Sequence, residues 1–339
     1  MRRDSAEGAD PKLRVYRTPH PVLGEPANLA FVEVGDLLLV VDAGANPSAQ
    51  WIREAASWKG PILVLLTHHH WDHIYGAVGL LKLRSDAVFA SSREVVQAIE
   101  DPSIVEEFAL SLIKAVGTDI LRGFAEAYRS TFLSMYIEVS RTLSGRLREV
   151  EEITLPSSVR VVECPGHSNG HLCYIASGVL FAGDVLVGRN TPVTLNAEVY
   201  VHTLLRLSEL EWEAAVPGHG PVLERSACLA RMAEAARRKA SRLRTLVDIL
   251  AGRGEAGFPE LLEALYGPLS WAPDTYTRSY NLLGYLAPLE ERGAVEVLRG
   301  SSPWRVKLLS LAAAEDAVKR VEDAARKLSL KSRQHSLYT

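Results

Sequence analysis

The run PILVLL, residues 61–66, is apolar at every position after its proline and leads directly into THHHWDH, residues 67–73. Six residues are too few for a lone helix. They suit a strand buried on both faces, as in the inner strands of a parallel sheet covered by helices. The polar stretch then falls at the carboxyl end of that strand, where open α/β sheets tend to keep their sites. A layered α/β fold with chemistry at one sheet end is therefore the first expectation.

The rest of the chain supplies elements for such a fold. LAFVEV and LLLVVD flank Gly35 and Asp36, the signature of a hairpin with a two-residue turn. ANPSAQWIREAASW reads as a short helix and AVFA as a strand. Residues 91–148 read as helical, with IVEEFALSLIKAV and ILRGFAEAYRSTFLSMYIEVSRTL apolar at helical spacing and free of internal proline. VRVVEC, HLCYIAS and VLFAGD return to strand, with a second tight hairpin at Ser177-Gly178. AEVYVHTLLRLSELEW is helical and AAVP a last short strand.

Beyond Pro221 the composition changes. Residues 225–253 carry eight basic side chains against Glu234 and Asp248 on one long helix. FPELLEALYG and TYTRSYNLLGYLAPLEERG follow as helices, then VEVL and WRVKLL as a hairpin across RGSSP. Helix, helix, hairpin is the pattern of a small winged-helix-like unit. At 339 residues the chain exceeds the size at which one core usually stops growing. The expected division is a loose tail at 1–12, a catalytic domain at 13–222 with a helical insertion at 91–148, and a helical linker with a winged-helix-like domain at 223–339.

A net charge of -3 argues against a surface that is wholly a nucleic-acid glove, while leaving a local basic patch open. Three cysteines, Cys164, Cys173 and Cys228, are odd in number and too sparse for a disulfide framework, so reduced thiols and a cytoplasmic location are expected. No apolar run approaches the roughly 18 residues of a membrane span, and no apolar leader follows MRRDSAEGAD.

THHHWDH holds four of the chain's ten histidines. In extended backbone side chains alternate, so His68 and His70 point one way and His69 the other, a surface or packing position. Asp72 and His73 sit where a helix would begin. Two imidazoles thus converge on one point, with a carboxylate and a third imidazole beside it, the layout of a dinuclear zinc or similar centre. For a lone His-x-His pair, a hydrophilic turn capped by Asp72 is the commoner arrangement. Three further segments shift the balance. PGHSNGH brings His167 and His171, FAGD brings Asp184, and VPGHG brings His219, each at a strand terminus in a Gly-rich turn.

These four signatures, with the hairpin ending in VVDAG, resemble the metallo-β-lactamase superfamily of hydrolases across residues 15–222. The resemblance implies an αβ/βα four-layer sandwich. It implies that His68, His70 and His167 hold one metal ion, that Asp72, His73 and His219 hold the second, and that Asp184 bridges both. The cofactors implied are two divalent ions, zinc by preference. About 3.5 to 4 Å apart, such ions deprotonate a shared water near neutral pH and polarise the bond it attacks. Asp72 gains a catalytic role, orienting that hydroxide and passing its proton to the leaving group. His171, Asp42 and Thr67 are expected to support the ligands, His171 through a hydrogen bond, or else to be purely structural.

Histidine at position 70, where the flavodiiron and oxygen-reducing branch typically has glutamate, favours hydrolysis over redox work. The complete second ligand set disfavours the one-iron persulfide dioxygenases. The run YVHTLLRLSELEWEAAVPGHGPVL, followed by the basic helix, LLEALYG and NLLGYLAPLEERGAVEV, is similar to the lactamase-beta-2-like branch, which adds a winged-helix-like tail and some members of which cut single-stranded RNA. Two readings of the insertion stand open. Phe124, Tyr128, Phe132, Met135 and Tyr136 line an apolar lid over the metals, with Tyr128, Phe132 and Tyr136 as substrate contacts, or they are core packing or a homodimer face. The basic helix divides likewise, Arg237, Arg238, Lys239, Arg242 and Arg244 either gripping phosphates or forming a solvated face.

The function expected is hydrolysis of a small ester, thioester or lactone, with single-strand endoribonuclease action as the alternative. A non-catalytic binding module would carry a degenerate ligand set, and β-lactam hydrolysis does not suit a chain without a secretion signal. The partners expected are a small-molecule substrate or RNA, and no membrane.

Overall fold

The structure, a computed structural model, describes residues 13–19, 25–188, 191–269 and 272–338. The expected tail at 1–12 lies outside the described residues. Two mixed sheets form the centre. The first runs in the order β1 (Leu13–Thr18), β2 (Ala27–Val34), β3 (Leu37–Val41), β4 (Ile62–Leu65), β5 (Val88–Ser91) and β6 (Leu147–Glu149). Its first three strands are antiparallel and the rest parallel. The second contains β7 (Val159–Glu163), β8 (Leu172–Ala176), β9 (Val179–Gly183), β10 (Ala214–Pro217) and β11 (Leu223–Glu224), with only β9 and β10 parallel.

Side-chain alternation builds the layers. In β3, Leu38 and Val40 face the helices beside Trp51, Ile52 and Val95, while Leu39 and Val41 meet Tyr174, Phe181 and Val216 of the opposite sheet. Val162, Cys173, Ile175, Leu180 and Ala215 cover the outer face of the second sheet and pack on a second helical layer. Helix, sheet, sheet, helix is the four-layer order expected, with β4 buried at all four positions. Both two-residue hairpins form. Gly35 takes φ +63, and Ser177 and Gly178 both take positive φ, so the turns follow the right-handed twist of their strands.

The insertion comprises helices Arg93–Glu100, Ser103–Val116, Thr118–Ala127 and Ser134–Leu143, with a π-helical turn over Tyr128–Leu133. Strand β6 falls at its end, where the sequence pattern gave no sign of one. After β11 come helix Arg225–Arg253, β12 (Glu255–Gly257), helices Phe258–Tyr266 and Ala272–Glu291, a hairpin of β13 (Val295–Leu298) and β14 (Arg305–Leu308), and helix Leu311–Tyr338. Strands β12, β14 and β13 form a three-stranded antiparallel sheet.

This carboxyl-terminal unit does not bury a separate core. One continuous cluster joins Val162 and Leu180 of the second sheet, Val116 and Phe124 of the insertion, and Leu246, Leu286 and Val318 from beyond residue 222. Cys164 and Cys173, expected as free thiols, are disulfide-bonded. Cys164 follows β7 opposite His171 and lies diagonal to Cys173 of β8, and antiparallel register supplies the proximity that spacing did not reveal. Among the described residues no helix is long and apolar enough to cross a membrane.

Candidate metal centre

Every residue of the expected ligand set leaves the end of a strand. His68 and His70 follow β4, Asp72 and His73 open the short helix Trp71–Ile74, His167 lies between β7 and β8, Asp184 follows β9 and His219 follows β10. The structure brings all seven together. His68, His70, His167 and Asp184 form one group and Asp72, His73 and His219 a second, the ligand atoms of each lying within 4.8 Å of one another. Asp184 faces both. Its Oδ2 is 3.9 Å from His68 Nε2 and 3.7 Å from His167 Nε2, while its Oδ1 is 3.2 Å from His73 Nε2 and 3.4 Å from His219 Nε2. Asp72 Oδ2 closes the second group at 3.3 Å from His219 Nε2 and 3.6 Å from His73 Nε2.

The donor set fits cations. His68 Nε2, His73 Nε2 and Asp184 Oδ1 are buried without a hydrogen-bond partner, although the last two are only 3.2 Å apart. Lone pairs aimed at a shared point behave this way; a hydrogen-bonded pair would be aligned on itself. The far ring nitrogens of His68, His73, His167 and His219 are engaged. Thr67 Oγ1 donates to Asp42 and lies 2.9 Å from His68 Nδ1, and Asp42 Oδ2 is 2.9 Å from His73 Nδ1. The carbonyl of Val193 is 2.8 Å from His167 Nδ1, and those of Glu25 and Pro26 are 3.2 Å from His219 Nδ1. Carboxylate and carbonyl acceptors hold the proton on Nδ1 and leave Nε2 free to ligate.

Electrostatics distinguish the groups. Burial first, then neighbouring imidazoles, pull His70 down to about 3, and burial pulls His167 down to about 4, so both are neutral ligands at pH 7. In the second group burial opposes charge on His73 and His219, but the facing carboxylates outweigh it. His73 stands above the imidazole range and His219 is pushed up to about 10. Burial likewise raises Asp72, yet His73 and His219 outweigh it and hold the carboxyl below its ordinary range. A proton there is a stand-in for the cation that the carboxylates demand.

Asp42 and Thr67 lie behind the ligands, at the Nδ1 atoms of His73 and His68. His171 does not donate or accept a hydrogen bond at either ring nitrogen; its ring stacks on that of His68, 4.9 Å between centres at 23°. His69, read as a surface or packing residue, lines the cavity in front of the metal groups. Strand β4 ends at Leu65, so the alternation that sent His69 to the opposite side does not extend to it.

That cavity has a volume of about 420 Å³ and reaches His70, Asp72, His167 and Asp184. Phe108, Phe124, Tyr128, Phe132 and Tyr136 of the insertion form one wall, and Trp71 sits 5.5 Å from the Phe132 ring. Aromatics at every fourth position drift round an α-helix of 3.6 residues per turn. The wider π turn at Tyr128–Leu133 keeps this stripe on one face. Met135, outside that spacing, does not line the cavity. A second contribution to the lining was not foreseen. Tyr276 and Tyr280, four apart on helix Ala272–Glu291, stand 5.1 Å from Phe124 and 5.0 Å from Phe108 between ring centres.

The basic helix is largely engaged within the fold. Arg238 pairs with Glu234, Arg244 with Glu315 and Glu322, Arg242 stacks on Tyr266, Arg237 bonds the Ala233 carbonyl, and Lys239 is buried. No lysine or arginine among the described residues lines the cavity.

Comparison with known proteins bears on this geometry. Residues 22–219 match the model of the metallo-beta-lactamase superfamily. The chain belongs to the metallo-β-lactamase superfamily. It is 29% identical over 260 residues to a protein of Aspergillus fumigatus named atrochrysone carboxyl ACP thioesterase, covering 71% of this chain and 69% of that one. It is 26% identical over 219 residues to the beta-lactamase-like protein 2 homolog of Drosophila melanogaster, covering 61% and 62%. The chain spans about two thirds of the length of the curated relatives it matches. A metallo-beta-lactamase family protein from Thermus thermophilus shares the fold at a TM-score of 0.64 and 22% identity, covering 88% of this chain and 99% of that one. The protein is a metallo-β-lactamase-fold, metal-dependent hydrolase with two His/Asp metal positions.

Proposed function

We propose that the protein is a dinuclear zinc hydrolase of carboxylic esters, thioesters or lactones that carry an apolar or aromatic acyl group. One observation carries this reading: the cavity over both ligand groups is walled by aromatic rings and, among the described residues, offers no lysine or arginine to a substrate. Such a lining suits an uncharged acyl chain or ring. A strand of RNA needs cations to hold its phosphates, and the arginines of the long helix are spent on glutamates and a tyrosine ring. The relative named as an acyl-carrier thioesterase supports the thioester member of the set. The element order beyond β11, with its three-stranded antiparallel sheet, supports a winged-helix-like carboxyl-terminal unit serving as a pocket wall.

Histidine and aspartate donors without cysteine suit zinc. When bound, the two ions acidify water and polarise the scissile carbonyl. The chain's own residues do the rest. Thr67, Asp42 and the Val193 carbonyl fix the imidazoles. Asp72, ionised and lining the cavity, takes a proton from the attacking water and returns it to the departing oxygen or sulfur. The aromatic walls exclude bulk water and seat the acyl group.

The test is a matched pair of thioesters, acetyl and 2-naphthoyl, given to the zinc-loaded protein. The expected result is a kcat/KM at least about tenfold higher for the naphthoyl compound, lost for both in His68→Ala and Asp72→Ala proteins that remain folded. Equal turnover of the two compounds overturns the acyl pocket. Turnover that survives both substitutions overturns the site.

A further inference from the structure

Lys239 lies in the middle of helix Arg225–Arg253 and is 1% exposed. A buried ammonium must be compensated, and this one is. Its Nζ donates to the Pro192 carbonyl at 2.8 Å, to Thr194 Oγ1 at 3.1 Å and to Asn281 Oδ1 at 2.6 Å, and stands 5.7 and 5.3 Å from the ring centres of Tyr200 and Tyr285. Three acceptors match three N–H groups, and two ring faces complete the shell. Burial alone pulls its pKa down to about 7.

None of these partners is a metal ligand, but they flank one. Pro192 and Thr194 are the neighbours of Val193, whose carbonyl meets His167 Nδ1 at 2.8 Å. Leu195 N donates to the Gly166 carbonyl at 2.7 Å, tying the same segment to the residue before His167. On the other side of Lys239, Asn281 follows Tyr280, whose hydroxyl donates to the His167 carbonyl at 3.2 Å and whose ring lines the cavity. Both routes from the lysine therefore reach His167, one through its ring nitrogen and one through its backbone.

We propose that Lys239 is a positioning residue for the metal centre: by pinning residues 192–194 and Asn281 together from behind, it holds the Val193 carbonyl and Tyr280 where they orient His167. The long helix of the carboxyl-terminal unit thus sets a ligand of the catalytic site that it never touches.

The experiment measures zinc affinity of the metal-free, full-length protein by competition with a chromogenic chelator, alongside thermal unfolding. The variants are Lys239→Met, Thr194→Val and, as a control, Leu246→Ala, which opens the same helix at a fully buried position away from the segment. Partners of metal-ligating histidines are worth 10- to 100-fold in affinity. Lys239→Met is expected to weaken zinc binding about tenfold and Thr194→Val in the same direction, with the double variant no weaker than Lys239→Met alone. Leu246→Ala is expected to lower the unfolding temperature yet keep zinc affinity within about twofold. Unchanged affinity in Thr194→Val and in any folded Lys239→Met protein overturns the proposal, as does an equal loss in Leu246→Ala.

Discussion

Asp42 occupies φ +60, a left-handed conformation that a non-glycine residue holds only at some cost. Its carboxylate repays that cost by accepting from Thr67 N and Thr67 Oγ1 while facing His73 Nδ1, so one residue orients ligands in both metal groups. Asp42→Asn keeps the shape but presents an amide where acceptors are needed. Zinc affinity should fall about 10- to 100-fold by equilibrium dialysis with little change in helix content. At His219 the prediction concerns pH. In the metal-free protein its pKa is raised from 6.5 to about 10. The stability it contributes is therefore complete below pH 6.5 and is lost as pH rises through about 10. The urea midpoint of the metal-free protein should drop across that window, and His219→Gln should flatten the drop. Residue chemistry drew notice to histidines and aspartates in Gly-rich turns at strand ends, but it was the resemblance of their four signatures to a known family that implied the full set of seven. Lys239 was not legible from the charge of its helix. Its signal was the period: it continues the buried stripe of Met232, Ala235, Ala236, Leu243, Leu246 and Leu250.

At the level of elements, the aromatic stripe of the insertion and helix Ala272–Glu291 meet ring against ring and line the cavity together. Tyr276→Ala and Phe132→Ala should raise KM for an aromatic thioester several-fold and leave an acetyl thioester nearly unaffected, as read from initial rates. Gly284 marks how closely that helix is seated. A Cβ there would stand 1.9 Å from the Thr194 carbonyl oxygen, so Gly284→Ala must displace either the helix or the segment beside His167. A loss of about 1–3 kcal/mol in thermal or urea unfolding is expected. Most strands and both tight turns could be read from apolar runs and turn residues, but β1, whose Arg14 and Arg17 interrupt its apolar positions, was not read as one. Strands β6, β11 and β12, two or three residues each, are too short to leave a pattern. The insertion could be read as helical, with a cavity lining and a packed or dimer face left as alternatives, because aromatic spacing is the same for all of them.

For the whole molecule, the unit beyond residue 222 is part of the core rather than an appendage. Leu246, Leu286 and Val318 share one buried cluster with Leu180 of the second sheet, and the Trp304 amide donates to the Ala115 carbonyl at the end of an insertion helix. Each such aliphatic side chain contributes about 1.5–3 kcal/mol on burial, a sum that a chain stopped after residue 222 would lose at once. That fragment should be recovered aggregated, while the full-length chain sediments freely at equal concentration. A division at 222 follows a real change in composition, but composition does not report which surfaces are shared. The two oxygens of Asp184 impose one last thing on the intact protein. Since the same anion answers to both halves of the cage, whatever fills one half alters the charge available to the other. Partly loaded samples should then not resemble a simple average of empty and full molecules.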